Sequence, residues 1–316
     1  MPSDLILITD IDLPGSDAEV ALTKAGHRVI HGLDDFDRDQ AKDVTALMVQ
    51  WATISAAIMD TMPNLRFISR LGIGCDMIDI EAATGRGISV ANTPTYCIEE
   101  VASHTTALIL GLCRGLIAYD RAVQSGGWSP VTDPPLAHRP SSMTVSVIGY
   151  GRIGSIVAAA CSSLGFKILV SDPLVGAEGI EAAGHQSVSF EEAVMRADIL
   201  TLHAPLTADT HHMIDRQALA MMRSGSMVVN TCRGALIDEA ALLDVLRSHH
   251  LAGAALDVFE SEPLTTGSPF IGLHNVILTP HASWYSPESL IDLPRHAAAN
   301  IVEFLAGRDV PSIVNR

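Results

Sequence analysis

Short apolar runs alternate with amphipathic stretches over the first hundred positions. Leu5–Thr9, Arg28–His31, Ala46–Val49, Phe67–Ser69 and Ile88–Ala91 have the length and composition of strands. The stretches between them, such as Ser16–Ala25, carry apolar positions at helical spacing, so the segment predicts a small parallel α/β unit. Near Asn92-Thr-Pro94 the pattern changes to one long apolar helix, from Ile98 to about Leu116. A Gly- and Pro-rich stretch from Ser125 to Pro140 follows and reads as an irregular arm. Strand and helix then alternate again. Strands are predicted over Val145–Ile148, Lys167–Ser171, Ile199–His203, Met227–Asn230, Gly253–Val258 and Val276–Leu278, separated by helices such as Ala240–His249. The tail from Glu288 to about Ala306 is helical.

Between Val145 and Asp172 each residue type suits a dinucleotide. A buried strand runs into Gly149-Tyr-Gly151-Arg152-Ile153-Gly154, then into an apolar helix reaching about Leu164. Gly149 permits the tight turn, Gly151 lets backbone amides approach a pyrophosphate, and Gly154 lets the helix pack close to the strand. The helix N-terminus then faces phosphate charge with unpaired N–H groups. Asp172 ends the next strand 172 − 154 = 18 residues past the last glycine, where a carboxylate accepts both ribose hydroxyls. The same carboxylate repels a 2′-phosphate, and Pro173-Leu174 supply no arginine to hold one, so NAD is favoured over NADP.

Composition narrows the partners. A chain of 316 residues suggests about two domains. Formal net charge is −16, from 20 basic and 36 acidic residues, without a Lys/Arg-rich run. Neither nucleic acid nor a membrane is expected as a partner. Five scattered cysteines inside mostly apolar runs fit reduced, buried thiols of a cytoplasmic protein. The N-terminus carries no basic segment or cleavage site of a signal peptide, and no apolar run reaches membrane-spanning length.

Three ionisable residues stand just past the carboxyl ends of three predicted strands: Arg233, Glu262 and His281. Ligands of open α/β sheets bind at such ends. Hydride exchange between a 2-hydroxy acid and NAD needs such a set. An arginine grips the carboxylate in a bidentate fashion and polarises the carbonyl. A histidine moves the proton at the C2 oxygen. A carboxylate beside the imidazole orients it and favours its protonated form. Each residue alone has a bland reading: Glu262-Pro263 as a turn, Pro280-His281 as a strand cap, Arg233 as a surface cation. Behind a complete dinucleotide fingerprint the joint chemical reading prevails. His211-His212 and His249-His250 suggest a metal, but adjacent histidines point to different faces and no third ligand stands at metal spacing. They read as solvated histidines at helix ends, and no metal is predicted.

With these motifs the chain resembles the D-isomer-specific 2-hydroxyacid dehydrogenase family over essentially its whole length. The matching segments are Arg70–Asp79, Glu99–Thr105, Gly149–Gly154, Leu202–Thr207, Asn230–Asp238, Ala255–Pro263 and Thr279–His281. The resemblance implies two Rossmann-like parallel-sheet domains, with an NAD domain inserted in a flavodoxin-like substrate domain. Residues 1–99 with 287–316 form the substrate domain and 100–286 the NAD domain. It makes Arg233, Glu262 and His281 the catalytic set, and places His203, Thr207, Thr231 and Asp257 around the nicotinamide half of NAD. It assigns substrate carboxylate binding to Arg70 and the backbone of Leu71, Gly72, Ile73 and Gly74. The long helix and the arm after Gly126 resemble a homodimer contact.

His281-Ala-Ser-Trp284-Tyr-Ser286 together with Arg70 resembles the C-terminal binding protein branch, which puts Trp284 against substrate, favouring an apolar, thioether or aromatic side chain. A hydrophobic-core Trp is the plainer alternative. Pro140-Ser-Ser-Met departs from the leucine and glycine usual in the family before the nucleotide-binding strand. The few residues after Pro311 leave no room for the regulatory domain of long phosphoglycerate dehydrogenases. The leading expectation is an NAD-dependent interconversion of 2-oxo acids and D-2-hydroxy acids by a homodimer. Alternatives are an NAD(H)-sensing scaffold of the C-terminal binding protein type, a glyoxylate or hydroxypyruvate reductase, or a phosphoglycerate dehydrogenase. The absence of an added basic cluster for a phosphate weighs against the last.

Overall fold

The structure is a computed structural model and describes residues 3–10, 17–33, 38–131 and 137–316. Ser16, residues 1–2 and the part of the predicted arm at 132–136 lie outside the described residues. The chain divides into two compact units, Met1–Cys97 with Tyr285–Arg316, and Ile98–Trp284.

In the first unit, strands β1 (Leu5–Ile8), β2 (Arg28–His31), β3 (Val44–Val49), β4 (Phe67–Arg70) and β5 (Ser89–Ala91) alternate with helices α1 (Ala18–Lys24), α2 (Arg38–Ala41), α3 (Ala56–Asp60) and α4 (Ile80–Gly85). The sheet is parallel in the order β2-β1-β3-β4-β5. Ser55 and Asp79 start α3 and α4 by accepting the Ile58 and Ala82 amides, which suits short polar side chains at N-caps. Leu7, Leu47, Ile68 and Val90 are fully buried at the centre of its core.

The second unit opens with α5 (Ile98–Cys113) and α6 (Leu116–Gln124). The sequence predicts one helix to about Leu116. The structure breaks it at Gly115, whose φ of 61° lies in the left-handed region, and a second helix follows. No single helix among the described residues is long and apolar enough to cross a membrane. A short 3₁₀ turn at Pro140–Ser142, where the sequence departs from the family pattern, leads into β6 (Thr144–Ile148). Then come α7 (Arg152–Ser163), β7 (Lys167–Ser171), α8 (Ala177–Ala182), β8 (Gln186–Ser187), α9 (Phe190–Arg196), β9 (Ile199–Leu202) and α10 (Arg216–Met221). The series ends with β10 (Met227–Asn230), α11 (Glu239–Arg247), β11 (Gly253–Leu256) and β12 (Val276–Leu278).

These strands form a seven-stranded parallel sheet, β12-β11-β10-β9-β6-β7-β8. One face packs residues such as Ala193, Leu219 and Leu242 from α9, α10 and α11, and the other Ile109, Val157 and Ile180 from α5, α7 and α8. Both faces are covered, which is why the strands read as continuous apolar runs. Strand β6 pairs with both β7 and β9, so the winding direction reverses there. Ligands of doubly wound sheets bind at the carboxyl ends beside such a reversal.

Helix α12 (Pro287–Leu305) returns to the first unit, started by a reciprocal Ser286/Ser289 cap with Pro287 at its first turn. Phe304 stacks on the fully buried Phe67 at 4.3 Å between ring centroids, and Ser69 Oγ donates to the Ala297 carbonyl at 2.9 Å. The terminal helix is therefore part of the first unit's core. Phe67→Ala is expected to lower the unfolding free energy by roughly 3–5 kcal/mol in denaturant titration. A loss below about 1 kcal/mol, the level of a surface change, refutes that role.

Candidate active site

The glycine turn after β6 is a close-packed cradle. A Cβ on Gly149, whose φ is +94°, meets the His203 carbonyl carbon at 2.7 Å, and a Cβ on Gly154 meets the Gly149 oxygen at 2.2 Å. Gly151 differs: a Cβ there meets nothing within 4 Å. Its backbone therefore borders open space at the N-terminus of α7, with Arg152 and Ile153 in the first turn. Asp172, just past β7, accepts the Tyr150 amide at 2.6 Å on one oxygen and the Leu174 amide at 2.7 Å on the other. The second of these oxygens also accepts the Val175 amide at 3.1 Å. With two lone pairs per oxygen, the capacity left for a ribose hydroxyl is on the oxygen that accepts the Tyr150 amide. The cradle, the open backbone and the acid fit a dinucleotide.

Strands β10, β11 and β12 are neighbours in the sheet, so the residues past their carboxyl ends converge. His281 Nδ1 lies 2.7 Å from Glu262 Oε2, and the Glu262 Oε1 accepts the Phe259 amide at 2.8 Å. Burial raises the Glu262 carboxyl, but the His281 hydrogen bond and charge, the Phe259 amide and the nearby Arg233 charge outweigh it and leave it below its ordinary value. Arg233 is half-buried and donates to the Cys232 carbonyl at 2.8 Å. Next to it, a Cβ on Gly234 falls 1.9 Å from the Phe259 carbonyl carbon, so the two loops meet backbone to backbone.

His281 has φ of 51°, in the region that non-glycine residues seldom adopt. What holds it there is Asp257, fully buried at the end of β11. Its carbonyl accepts the His281 amide at 2.7 Å, and its carboxylate accepts Thr279 Oγ1 and the Ala282 and Ser283 amides at 2.8 and 2.9 Å. Burial raises this carboxyl, yet those hydrogen bonds bring it below its ordinary value, so it is an anion. His104 on α5, not singled out in the sequence, reaches Thr279 Oγ1 at 3.3 Å and joins the network. Thr231 is buried and shares a 2.7 Å hydrogen bond with Thr105. Thr207 is exposed, its amide donating to Thr210 Oγ1. His203 lies beside the glycine turn, 3.0 Å from Thr201 Oγ1, and desolvation pulls its imidazole from 6.5 down to about 4. It is neutral at physiological pH. Trp284 is half-buried at the end of this unit.

In the first unit, Arg70 closes β4 and Leu71 to Gly74 follow it. The Leu71 amide donates to the Val49 carbonyl at 2.7 Å and the Gly72 amide to Thr93 Oγ1 at 2.8 Å. Both are engaged inside the unit, so the donors suited to a carboxylate narrow to the Ile73 and Gly74 amides. The Arg70 guanidinium contacts the Leu71 carbonyl and lies over the Trp51 ring at 5.6 Å. Asp10 holds the Trp51 loop by accepting the Gln50 and Ala52 amides at 3.0 and 2.9 Å. Trp51 and Asp10 carry no local sequence motif, and only the fold sets the indole against Arg70. Among the described residues, no group of three His, Cys, Asp or Glu could hold a metal ion.

An open glycine backbone at a helix start, an acid beyond the next strand and a converging Arg, Glu and His define a dehydrogenase that uses NAD. Comparison with known proteins specifies the family. Residues 106–283 match the D-isomer specific 2-hydroxyacid dehydrogenase, NAD binding domain. A glyoxylate reductase from Korarchaeum cryptofilum is 34% identical over 281 residues, 88% of this chain and 85% of that protein. A D-3-phosphoglycerate dehydrogenase from Mycobacterium leprae is 36% identical over 276 residues, 86% of this chain but 51% of its own length. The D-lactate dehydrogenase of Aquifex aeolicus, solved with NAD and lactic acid, superposes with a TM-score of 0.90 at 28% identity, covering 98% of this chain and 99% of that one. The chain belongs to the D-isomer-specific 2-hydroxyacid dehydrogenase family and is an NAD-dependent oxidoreductase. These relatives are reductases and dehydrogenases, which does not favour the scaffold alternative, and they do not carry the resemblance to the C-terminal binding protein branch.

Two measurements follow from this geometry. Gly151→Ala is expected to leave stability within about 0.5 kcal/mol while NADH affinity, read by fluorescence titration, falls. Unchanged affinity removes Gly151 from the cofactor cradle. For His203, the unfolded chain takes up a proton near pH 6.5 that the folded protein resists until about 4. The unfolded state thus binds more protons in that window, and stability falls as pH drops through it. His203→Gln is expected to flatten the dependence in urea unfolding at pH 7 and 5; an equal slope in the variant assigns the effect elsewhere.

Proposed function

We propose that the protein reduces small 2-oxo acids to D-2-hydroxy acids. The observation that carries this is the 2.7 Å His281–Glu262 pair beside Arg233, all past adjacent strand ends of the NAD-binding unit. NADH, when bound, supplies a hydride to the substrate carbonyl carbon. Arg233 holds the substrate carboxylate and polarises the carbonyl. Glu262 fixes the imidazole through Nδ1, which assigns Nε2 of His281 to donate the proton that makes the C2 oxygen a hydroxyl. In the oxidative direction the same nitrogen takes that proton back. Arg152, Ile153, Asp172, His203, Thr207, Thr231 and Asp257 are proposed cofactor neighbours. Arg70, the Ile73 and Gly74 amides and Trp284 are proposed for substrate, with the first unit as the substrate domain.

Further features support the rest of the proposal. Leu116, Ile117 and Val123 on α6 and Trp128 just after it are exposed apolar side chains, which supports a homodimer through this face. Five free cysteines suit a reducing cytoplasm. A net charge of −16 supports a small-molecule partner over nucleic acid or a membrane.

The test is NADH oxidation over glyoxylate, hydroxypyruvate, pyruvate, phenylpyruvate and 4-methylthio-2-oxobutyrate. Turnover of at least one is expected, and its side chain reports whether Trp284 shapes the pocket. His281→Ala is expected to cut that turnover at least roughly 10²-fold with NADH binding intact. Near-normal turnover removes His281 from the mechanism.

A further inference from the structure

His212 has no part in the chemistry proposed above, yet it touches both loops that carry it. Its backbone belongs to the Arg233 side. The His212 amide donates to the Ala235 carbonyl at 2.8 Å, and Ile214 continues as a parallel bridge to Ile237. Its side chain belongs to the Glu262 side, with Nε2 at 2.7 Å from Glu260 Oε1. The His211 ring stacks on it at 4.0 Å between centroids. Like His281, His212 is held at positive φ, 52°. A residue kept in that region is over-determined by its surroundings, and such positions cluster at functional sites.

The Glu260 end is fixed as well. The Glu260 amide donates to Glu239 Oε1 at 2.7 Å, and Glu239 starts α11 just beyond the Arg233 loop. Gly234 presses against the Phe259–Glu260 peptide with no side chain between. Past Glu260 and Ser261 the chain reaches Glu262, whose carboxylate meets His281.

We propose that His212 is a positioning residue, its backbone holding the Arg233 loop and its ring holding the Glu262 loop so that carboxylate clamp and proton donor keep a fixed spacing. This rests on the reading of Arg233, Glu262 and His281 given above. A displacement of about 1 Å between such groups costs up to roughly 10²-fold in rate. The ring contact, at the surface, contributes little to stability by itself. The effect therefore belongs in substrate binding and turnover, and not in folding.

The experiment compares His212→Ala, His212→Gln and Glu260→Ala with the unaltered protein. Glu260→Ala breaks the same contact without touching the backbone at 212, so the question stays open to test if His212→Ala fails to fold. Hydrogen exchange of peptides spanning 231–238 and 258–263 is expected to speed up in both segments together for the two alanine variants, with exchange elsewhere unchanged. With glyoxylate, or the best 2-oxo acid, KM is expected to rise and kcat/KM to fall roughly 10- to 100-fold, with the KM for NADH unchanged. His212→Gln keeps a donor for Glu260 at the same strained backbone and is expected to recover part of the loss. Wild-type exchange and wild-type KM in Glu260→Ala overturn the proposal, as does an equal loss of protection throughout the protein. If the unaltered protein turns over no 2-oxo acid, the functional reading falls, while exchange still decides whether His212 ties the two loops.

Discussion

A carboxylate withdrawn from water costs several kcal/mol unless protein donors replace its hydration. Asp257 is fully buried, and its replacements come from one short stretch: Thr279 Oγ1 and the amides of Ala282 and Ser283. That stretch can satisfy the charge only by turning sharply past β12, and the turn places His281 at positive φ with its amide on the Asp257 carbonyl. From there the imidazole reaches Glu262 at 2.7 Å. The reach and orientation of the proposed proton donor are thus set by the hydration needs of a neighbouring anion. His104 extends the same network to α5.

The loops around this anion alternate in sign. Burial, with the charges of Glu260 and Glu262, raises the Glu239 carboxyl against the Glu260 amide hydrogen bond and the His212 charge, which lower it. His212, Arg233 and His281 stand against them. In a chain of net charge −16, an anionic substrate meets general repulsion, so its capture depends on a local cation.

Much of this was legible in the chain because the constraint was local. Gly149 announces a tight turn and Gly154 a close approach of the helix; Gly149 has a φ of +94° and a Cβ on Gly154 would fall 2.2 Å from the Gly149 oxygen. The strands showed as unbroken apolar runs because helices cover both faces of the sheet. The division of α5 from α6 was hidden, since Gly115 sits inside a continuous apolar pattern and only its backbone conformation breaks the helix. His212 read as a solvated residue because its partner, Glu260, is 48 positions away. Trp51 and Arg70 gave no sign of each other for the same reason, their meeting being a product of strand order. Of the four amides from Leu71 to Gly74, sequence alone could not tell which are engaged; Val49 and Thr93 decide it.

The contact at Gly234 also bears on how such a protein changes over generations. With a Cβ only 1.9 Å from the Phe259 carbonyl carbon, every other amino acid forces the two loops apart. Substitutions that retune substrate choice therefore have to accumulate around this seam and leave it intact. A descendant that has lost the glycine has lost the spacing on which the proposed chemistry relies, whatever its other motifs still spell, and under that proposal position 234 becomes a marker separating working copies from silent ones.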